Sequence, residues 1–127
     1  MAEQNGIYKC NICGNVVEVL DAHDGELVCC GEPMEMLIAK TSAHEGKEKH
    51  VPVLKIAGGK VAVNVGSVDH PMEQKHYIAM IQLLKNNSVV AEKRLKPGEK
   101  PFAEFCIADA AGLKARAWCN IHGLWVD

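Results

Sequence analysis

The stretch HVPVLKIAGGKVAVNVGSV, residues 50–68, decides the fold. Two Val-rich runs flank Gly58 and Gly59. Paired glycines between such runs mark a hairpin loop, because a two-residue loop needs positive φ at its central residues. Residues 75–95, KHYIAMIQLLKNNSVVAEKRL, repeat the design and turn at Asn86, Asn87 and Ser88. KPFAEFCIAD (100–109) and LKARAWCN (113–120) supply two further strands. In the last, Lys114, Arg116 and Trp118 alternate with Ala115, Ala117 and Cys119, the period of a half-buried strand. Six or seven short strands with turn signals between them predict a mostly β protein built round a β-sandwich. No segment sustains helical periodicity over three turns.

Working outward, residues 1–38 read differently. They are rich in Cys and Gly, with short strands expected in NVVEVL (15–20) and in GELVCCGEPMEMLI (25–38), around turns at Asp24 with Gly25 and at Gly31. Some 38 residues bury too little apolar surface to fold unaided, so this module needs a staple. A polar link, AKTSAHEGKEK (39–49), leads into the sandwich, giving expected domains 1–38 and 39–127. The chain has 127 residues and is 48% apolar, enough for one modest core with a small appendage.

Charge separates the two parts: residues 1–40 carry −5 and residues 41–127 carry +3. The larger part therefore attracts small anions at long range. No basic cluster suggests nucleic acid, no apolar run is long enough to span a membrane, and there is no internal repeat. The start, MAEQNGIYKC, lacks the pattern of an export signal, so a cytoplasmic location is expected. In that reducing setting six cysteines favour metal over disulfides.

Cys10 and Cys13 form a C-x-x-C, and Cys29 and Cys30 follow as an adjacent pair. Four thiolates complete a tetrahedral shell for zinc or iron. Adjacent residues of a strand project to opposite faces, so the CC pair must sit on a turn to share one ion, and a distorted tetrahedron is expected. The competing reading is a disulfide or buried thiols. A nucleic-acid-binding ribbon would close with a second C-x-x-C and carry basic residues, and this acidic module does neither.

A second set of donors lies beyond the module. His50 stands in EKHVP, His70 and His76 bracket a short loop in DHPMEQKH, and Cys119 with His122 makes a C-x-x-H in CNIHG. Pro71 restricts His70 to extended geometry and so fixes its direction. Loops from distant positions meet at one end of a sandwich, which allows all five to converge. Spacing alone leaves convergence and separate imidazoles both open. Cys106 lies in an apolar strand without a partner by spacing and reads as a buried, inert thiol. His23 and His44 read as solvent-facing, and Trp118 and Trp125 as core or pocket wall.

The stretches YKCNICGNVVEVL, ELVCCGEPM, EKHVPV, VGSVDHPMEQKHYI, LKPGEKPFAEFCI and CNIHGLW run in order over nearly the whole chain. Together they resemble the two-iron superoxide reductases called desulfoferrodoxins. The resemblance implies a desulforedoxin-like module followed by an immunoglobulin-like sandwich, usually as a homodimer. It implies two irons per chain: one held by Cys10, Cys13, Cys29 and Cys30, the other by His50, His70, His76 and His122 with Cys119 as the axial thiolate. It implies reduction of superoxide to hydrogen peroxide with one electron and two protons, and an external donor such as rubredoxin. Lys49 would draw the anionic substrate and Glu48 would reach the open coordination position, although a Glu-Lys pair read alone is an ordinary solvated pair. The chain has Ala79 and Met80 where the family often carries Glu-Trp, and the tail HGLWVD where the family often has His-Trp followed by Lys; neither change removes a ligand.

Overall fold

A computed structural model describes residues 2–127, which divide into two compact units with the boundary after Ile38. In the first unit five short strands occur: β1 (Ile7–Lys9), β2 (Val16–Glu18), β3 (Val28–Cys29), β4 (Glu32–Pro33) and β5 (Glu35–Met36). Three of them form an antiparallel sheet in the order β2-β1-β5, and β3 pairs with β4. The expected strand in 15–20 is β2, while the run 25–38 breaks into three two-residue strands. Asp24 is a bend rather than a hairpin turn. The core is slight: Ala2, Tyr8 and Val19 are buried, with Leu27, Met34 and Met36 packed against them.

The second unit holds one helical turn, α1 (Lys47–His50), and seven strands: β6 (Pro52–Ala57), β7 (Lys60–Val65), β8 (Ile78–Lys85), β9 (Ser88–Arg94), β10 (Phe102–Cys106), β11 (Leu113–Cys119) and β12 (Gly123–Val126). They form two antiparallel sheets, β10-β7-β6 and β12-β11-β8-β9. Val61, Val63 and Val65 from one sheet and Ile78, Ile81, Leu83, Ala115 and Ala117 from the other are wholly buried in a single core. Each fully buried Val, Ile or Leu contributes roughly 1.5–3 kcal/mol, so this core carries the stability of the unit.

Three hairpins close on two-residue loops in which both residues have positive φ: Cys30 and Gly31 (53° and 77°), Gly58 and Gly59 (56° and 80°), Asn86 and Asn87 (50° and 64°). These are the loops whose twist suits flanking strands, and Gly and Asn tolerate them best. Cys30 occupies such a position, which is how two adjacent cysteines come to share a turn.

Two expectations are corrected. Cys106 is exposed, not buried. It has the parity of Phe102 and Glu104 on β10, the outer face, whereas Ala103 points into the core. Arg116 keeps the parity of Lys114 yet is buried, because its guanidinium bonds Gln82 Oε1 on the neighbouring strand at 2.6 and 2.9 Å.

Candidate metal centres

The first centre is built by two turns. Residues 10–13 fold so that the N–H groups of Ile12 and Cys13 both donate to Cys10 Sγ at 3.4 Å. The Cys30 and Gly31 loop brings the second pair alongside: Cys13 Sγ and Cys29 Sγ are 3.6 Å apart, Cys29 Sγ and Cys30 Sγ 4.0 Å. These separations are far beyond a sulfur–sulfur bond. They suit a tetrahedron with metal–sulfur bonds of about 2.3 Å, whose edges are about 3.8 Å. Donation from Cys13 and Ile12 N–H holds the Cys10 thiol down to about 6. Burial is a lesser, opposing influence there, because the small unit packs few atoms round a side chain only 2% exposed. Hydrogen-bonded neighbouring thiols push Cys29 and Cys30 upward, as expected when several sulfurs compete for one negative charge.

The second centre forms at one end of the sandwich. His50 ends α1, His70 and His76 lie between β7 and β8, and Cys119 and His122 lie between the end of β11 and the start of β12. One donor atom from each falls within 4.8 Å of all the others. His50 Nε2 lies 3.1 Å from His122 Nδ1 and 3.2 Å from His70 Nε2, and His76 Nε2 lies 3.2 Å from His122 Nδ1. Adjacent rings round the set have centroids 4.7–4.9 Å apart, and the diagonal pair His50 and His76 stands 6.4 Å apart. The four nitrogens therefore make a near-square whose centre is about 2.2 Å from each, close to a metal–imidazole bond of about 2.0–2.1 Å. One nitrogen cannot hydrogen-bond two others that all present lone pairs, so the arrangement fits a cation at the centre.

Main-chain carbonyls fix which nitrogens face inward. His50 Nδ1 donates to Gly46 O at 2.8 Å and His70 Nδ1 to Pro71 O at 2.6 Å, leaving each Nε2 lone pair for a metal. Gly46 has φ 84°, and a Cβ there would lie 3.4 Å from His50 Nδ1, so glycine keeps this contact open. Burial disfavours the imidazolium forms: His70 falls to about 4, and His50 and His122 are also lowered. Three of the four rings, His50, His70 and His122, are thus biased toward the neutral form that binds a metal. Cys119, wholly buried, enters from the core side; burial raises its thiol, against the lowering effect of the His122 and Ile121 N–H groups. His122 is exposed, so the set lies at the protein surface there.

Sequence reasoning passed over two supporting residues, Asn120 and Gly66, and read a third, Trp125, as core or pocket wall. Asn120 accepts from Tyr77 N–H at 2.9 Å and donates to Lys75 O at 3.0 Å, gripping the main chain on both sides of His76. Gly66 lets α1 pack on the end of β7: a Cβ would come within 2.8 Å of Glu48 O and 2.9 Å of Val51 O. The Glu48 carbonyl is itself held by Val68 N–H and Ser67 Oγ. Trp125 stacks on His50, and the register of β8 with β11 shifts beside Cys119, with Ala79 as the extra residue. Glu48 and Lys49 stand outside the five-donor set, both exposed on α1.

The sequence model of the desulfoferrodoxin family matches residues 42–127, and that of its N-terminal domain residues 2–37. The chain belongs to the desulfoferrodoxin family. It is 54% identical to a desulfoferrodoxin homolog from Archaeoglobus fulgidus over 98% of both chains. It is 53% identical to the desulfoferrodoxin of Nitratidesulfovibrio vulgaris, over 98% of this chain and 97% of the relative. Its structure resembles the superoxide reductase from Treponema pallidum with a TM-score of 0.76, 31% identity and 96% of each chain covered. The expected fold class, a desulforedoxin-like module with a β-sandwich, holds. As a desulfoferrodoxin the chain carries two irons, and its four-cysteine and four-histidine, one-cysteine clusters are the two sets of donors that fit them. Among the described residues no helix is long and apolar enough to cross a membrane.

Proposed function

We propose that this desulfoferrodoxin is a superoxide reductase, converting superoxide to hydrogen peroxide with one electron and two protons. The observation that carries the reading is the meeting of His50, His70, His76, His122 and Cys119 at one point. An iron held there would supply the one-electron chemistry, with an external donor as the source of the electron. In this reading Cys10, Cys13, Cys29 and Cys30 hold the first iron of domain 1–38, and the five donors of domain 39–127 hold the second.

The protein's own residues do the rest. Four neutral imidazoles and one thiolate leave a divalent ion with net positive charge, which favours an anionic substrate. Cys119 closes the core side, so superoxide approaches from the solvent face beside His122. There Lys49 would attract the anion and order the water that delivers protons, and Glu48 would offer a carboxylate to an iron held by the five donors. The carbonyls of Gly46 and Pro71 keep protons on the outward nitrogens of His50 and His70 throughout. Rubredoxin is the proposed donor, the cytoplasm the proposed location and a homodimer the proposed assembly.

Anaerobically purified protein tests this. Two irons per chain, visible colour from thiolate-bound ferric iron, and one peroxide per superoxide without oxygen release are expected. A colourless zinc protein overturns the reading, as does half an oxygen evolved per superoxide, the stoichiometry of dismutation.

A further inference from the structure

Lys40 has no part in the ligand set, yet its side chain is aimed at it. Its main chain is tied into β12: Lys40 N–H donates to Leu124 O at 2.8 Å, and Val126 N–H donates to Lys40 O at 2.9 Å. This parallel bridge sets Lys40 beside Trp125. From there Lys40 Nζ donates to the carbonyl oxygen of His122 at 3.1 Å and stands 5.5 Å from the centroid of the Trp125 ring. The indole Nε1–H donates to the same carbonyl, also at 3.1 Å. The Trp125 ring also stacks on His50, with centroids 4.6 Å apart and planes 21° apart. Trp125 is only 2% exposed, so the stack is rigid.

One ammonium thus braces two imidazoles, His122 through its carbonyl and His50 through the indole. Lys40 forms no ion pair among the described residues, whose four pairs lie elsewhere. Its charge is therefore not cancelled locally, and it acts on Cys119, His50 and His122 alike. Lys49 differs: it is exposed on α1 and forms no ion pair among the described residues.

We propose that Lys40 is a positioning residue of the histidine centre, bracing His50 and His122 through Trp125 and the His122 carbonyl and adding a fixed positive charge that favours the reduced state of the metal held there. The proposal rests on the reading of that centre as a redox iron site. A cation near a metal–thiolate unit disfavours the further positive charge of the oxidised ion, so its removal lowers the midpoint potential.

The test uses iron-loaded, full-length Lys40→Met and Lys40→Arg proteins. The midpoint potential of the second centre is read from its ferric absorption at low and high salt. At a fixed poise Lys40→Met is expected to lower the reduced-to-oxidised ratio roughly threefold to tenfold, about 30–60 mV at 59 mV per tenfold for one electron. The gap narrows with salt because the lysine is partly exposed, and Lys40→Arg restores the potential. A merely structural lysine would not give a salt-dependent potential rescued by arginine. An unshifted potential in Lys40→Met, or one that arginine does not restore, overturns the proposal. Superoxide consumption by the unaltered protein is measured alongside. If that protein is active and Lys40→Met is unshifted, only the lysine proposal falls; if it is inert while the shift is present, only the superoxide reading falls.

Discussion

Two tetrapeptides, Cys10-Asn11-Ile12-Cys13 and Cys119-Asn120-Ile121-His122, differ in one residue and fold into the same knuckle. In each, the leading sulfur accepts the N–H groups two and three residues ahead. Their surroundings then drive the two thiols apart. In the small unit those N–H groups dominate and Cys10 falls to about 6. In the sandwich burial dominates and Cys119 is raised. The knuckle fixes direction, and the packing round it sets how readily the sulfur gives up its proton. One thiolate suits a closed four-sulfur staple, whereas the other is the buried member of a set that also includes the exposed His122.

The largest effect that can break this contrast is loss of the leading cysteine. The first unit's buried cluster holds three residues, and the unit depends on its metal, since a structural ion in so small a module supplies on the order of 10–16 kcal/mol. Cys10→Ala is therefore expected to unfold residues 1–38 while leaving the sandwich intact. Cys119→Ala removes one buried side chain from a core that includes eleven buried residues, at a cost of about 1–3 kcal/mol. It should leave both units folded and empty only the second site. Amide dispersion by NMR, unit by unit, with iron per chain, checks both. Persisting dispersion in residues 1–38 of Cys10→Ala would mean that the staple is not what holds that unit.

What the sequence made legible follows the same division. Hairpin loops at Gly58 with Gly59 and Asn86 with Asn87 were readable because positive φ restricts composition. The four cysteines were readable because a 38-residue module has few other ways to be stable. The histidines were visible only as candidates, since convergence depends on how two sheets bring loops together. β1 and β12, three and four residues long, are too short to show a period. Cys106 was misread because an apolar strand does not disclose which parity faces the core. Lys40 and the His122 carbonyl are 82 residues apart, joined by a bridge without a motif. Asn120 did leave a signal, its recurrence at the second place of both knuckles.

That recurrence sharpens the comparison at smaller scale. Asn11 donates to Glu35 Oε2 at 3.0 Å on the surface, whereas Asn120 makes two main-chain bonds that hold His76 against the knuckle. Losing the exposed side-chain bond should cost at most about 0.5 kcal/mol. Losing the Asn120 pair strands Tyr77 N–H and Lys75 O, at a cost of about 1–3 kcal/mol, and loosens a ligand. Asn120→Ala is thus expected to lower metal retention at the second centre roughly 10–100-fold in chelator competition, as outer partners of ligating histidines do. Asn11→Ala should leave both centres as they were. Equal losses from the two variants would mean that the knuckle, not its side-chain grip, positions His76.

A further effect is one of pH, and it isolates the sandwich because Trp118 and Trp125, the only tryptophans, both lie in that unit. In metal-free protein His70 is lowered to about 4 from an ordinary 6.5, chiefly by burial, with His50 and His122 lowered as well. Between those limits the unfolded chain binds more protons than the folded one, so stability rises with pH. The contribution is complete above pH 6.5 and is lost as pH falls through about 4. Cys119, raised by burial, has the opposite sign: its contribution is complete below its ordinary value of 9.0 and declines as pH rises further. Urea midpoints followed by tryptophan emission should therefore be level between about pH 6.5 and 9 and fall on both sides. The acid limb should flatten in His70→Ala, because the buried imidazole that resists the proton is gone. A limb of unchanged slope in that variant would assign the acid sensitivity to groups other than His70, and the reading of His70 as a buried, neutral donor would lose its thermodynamic support.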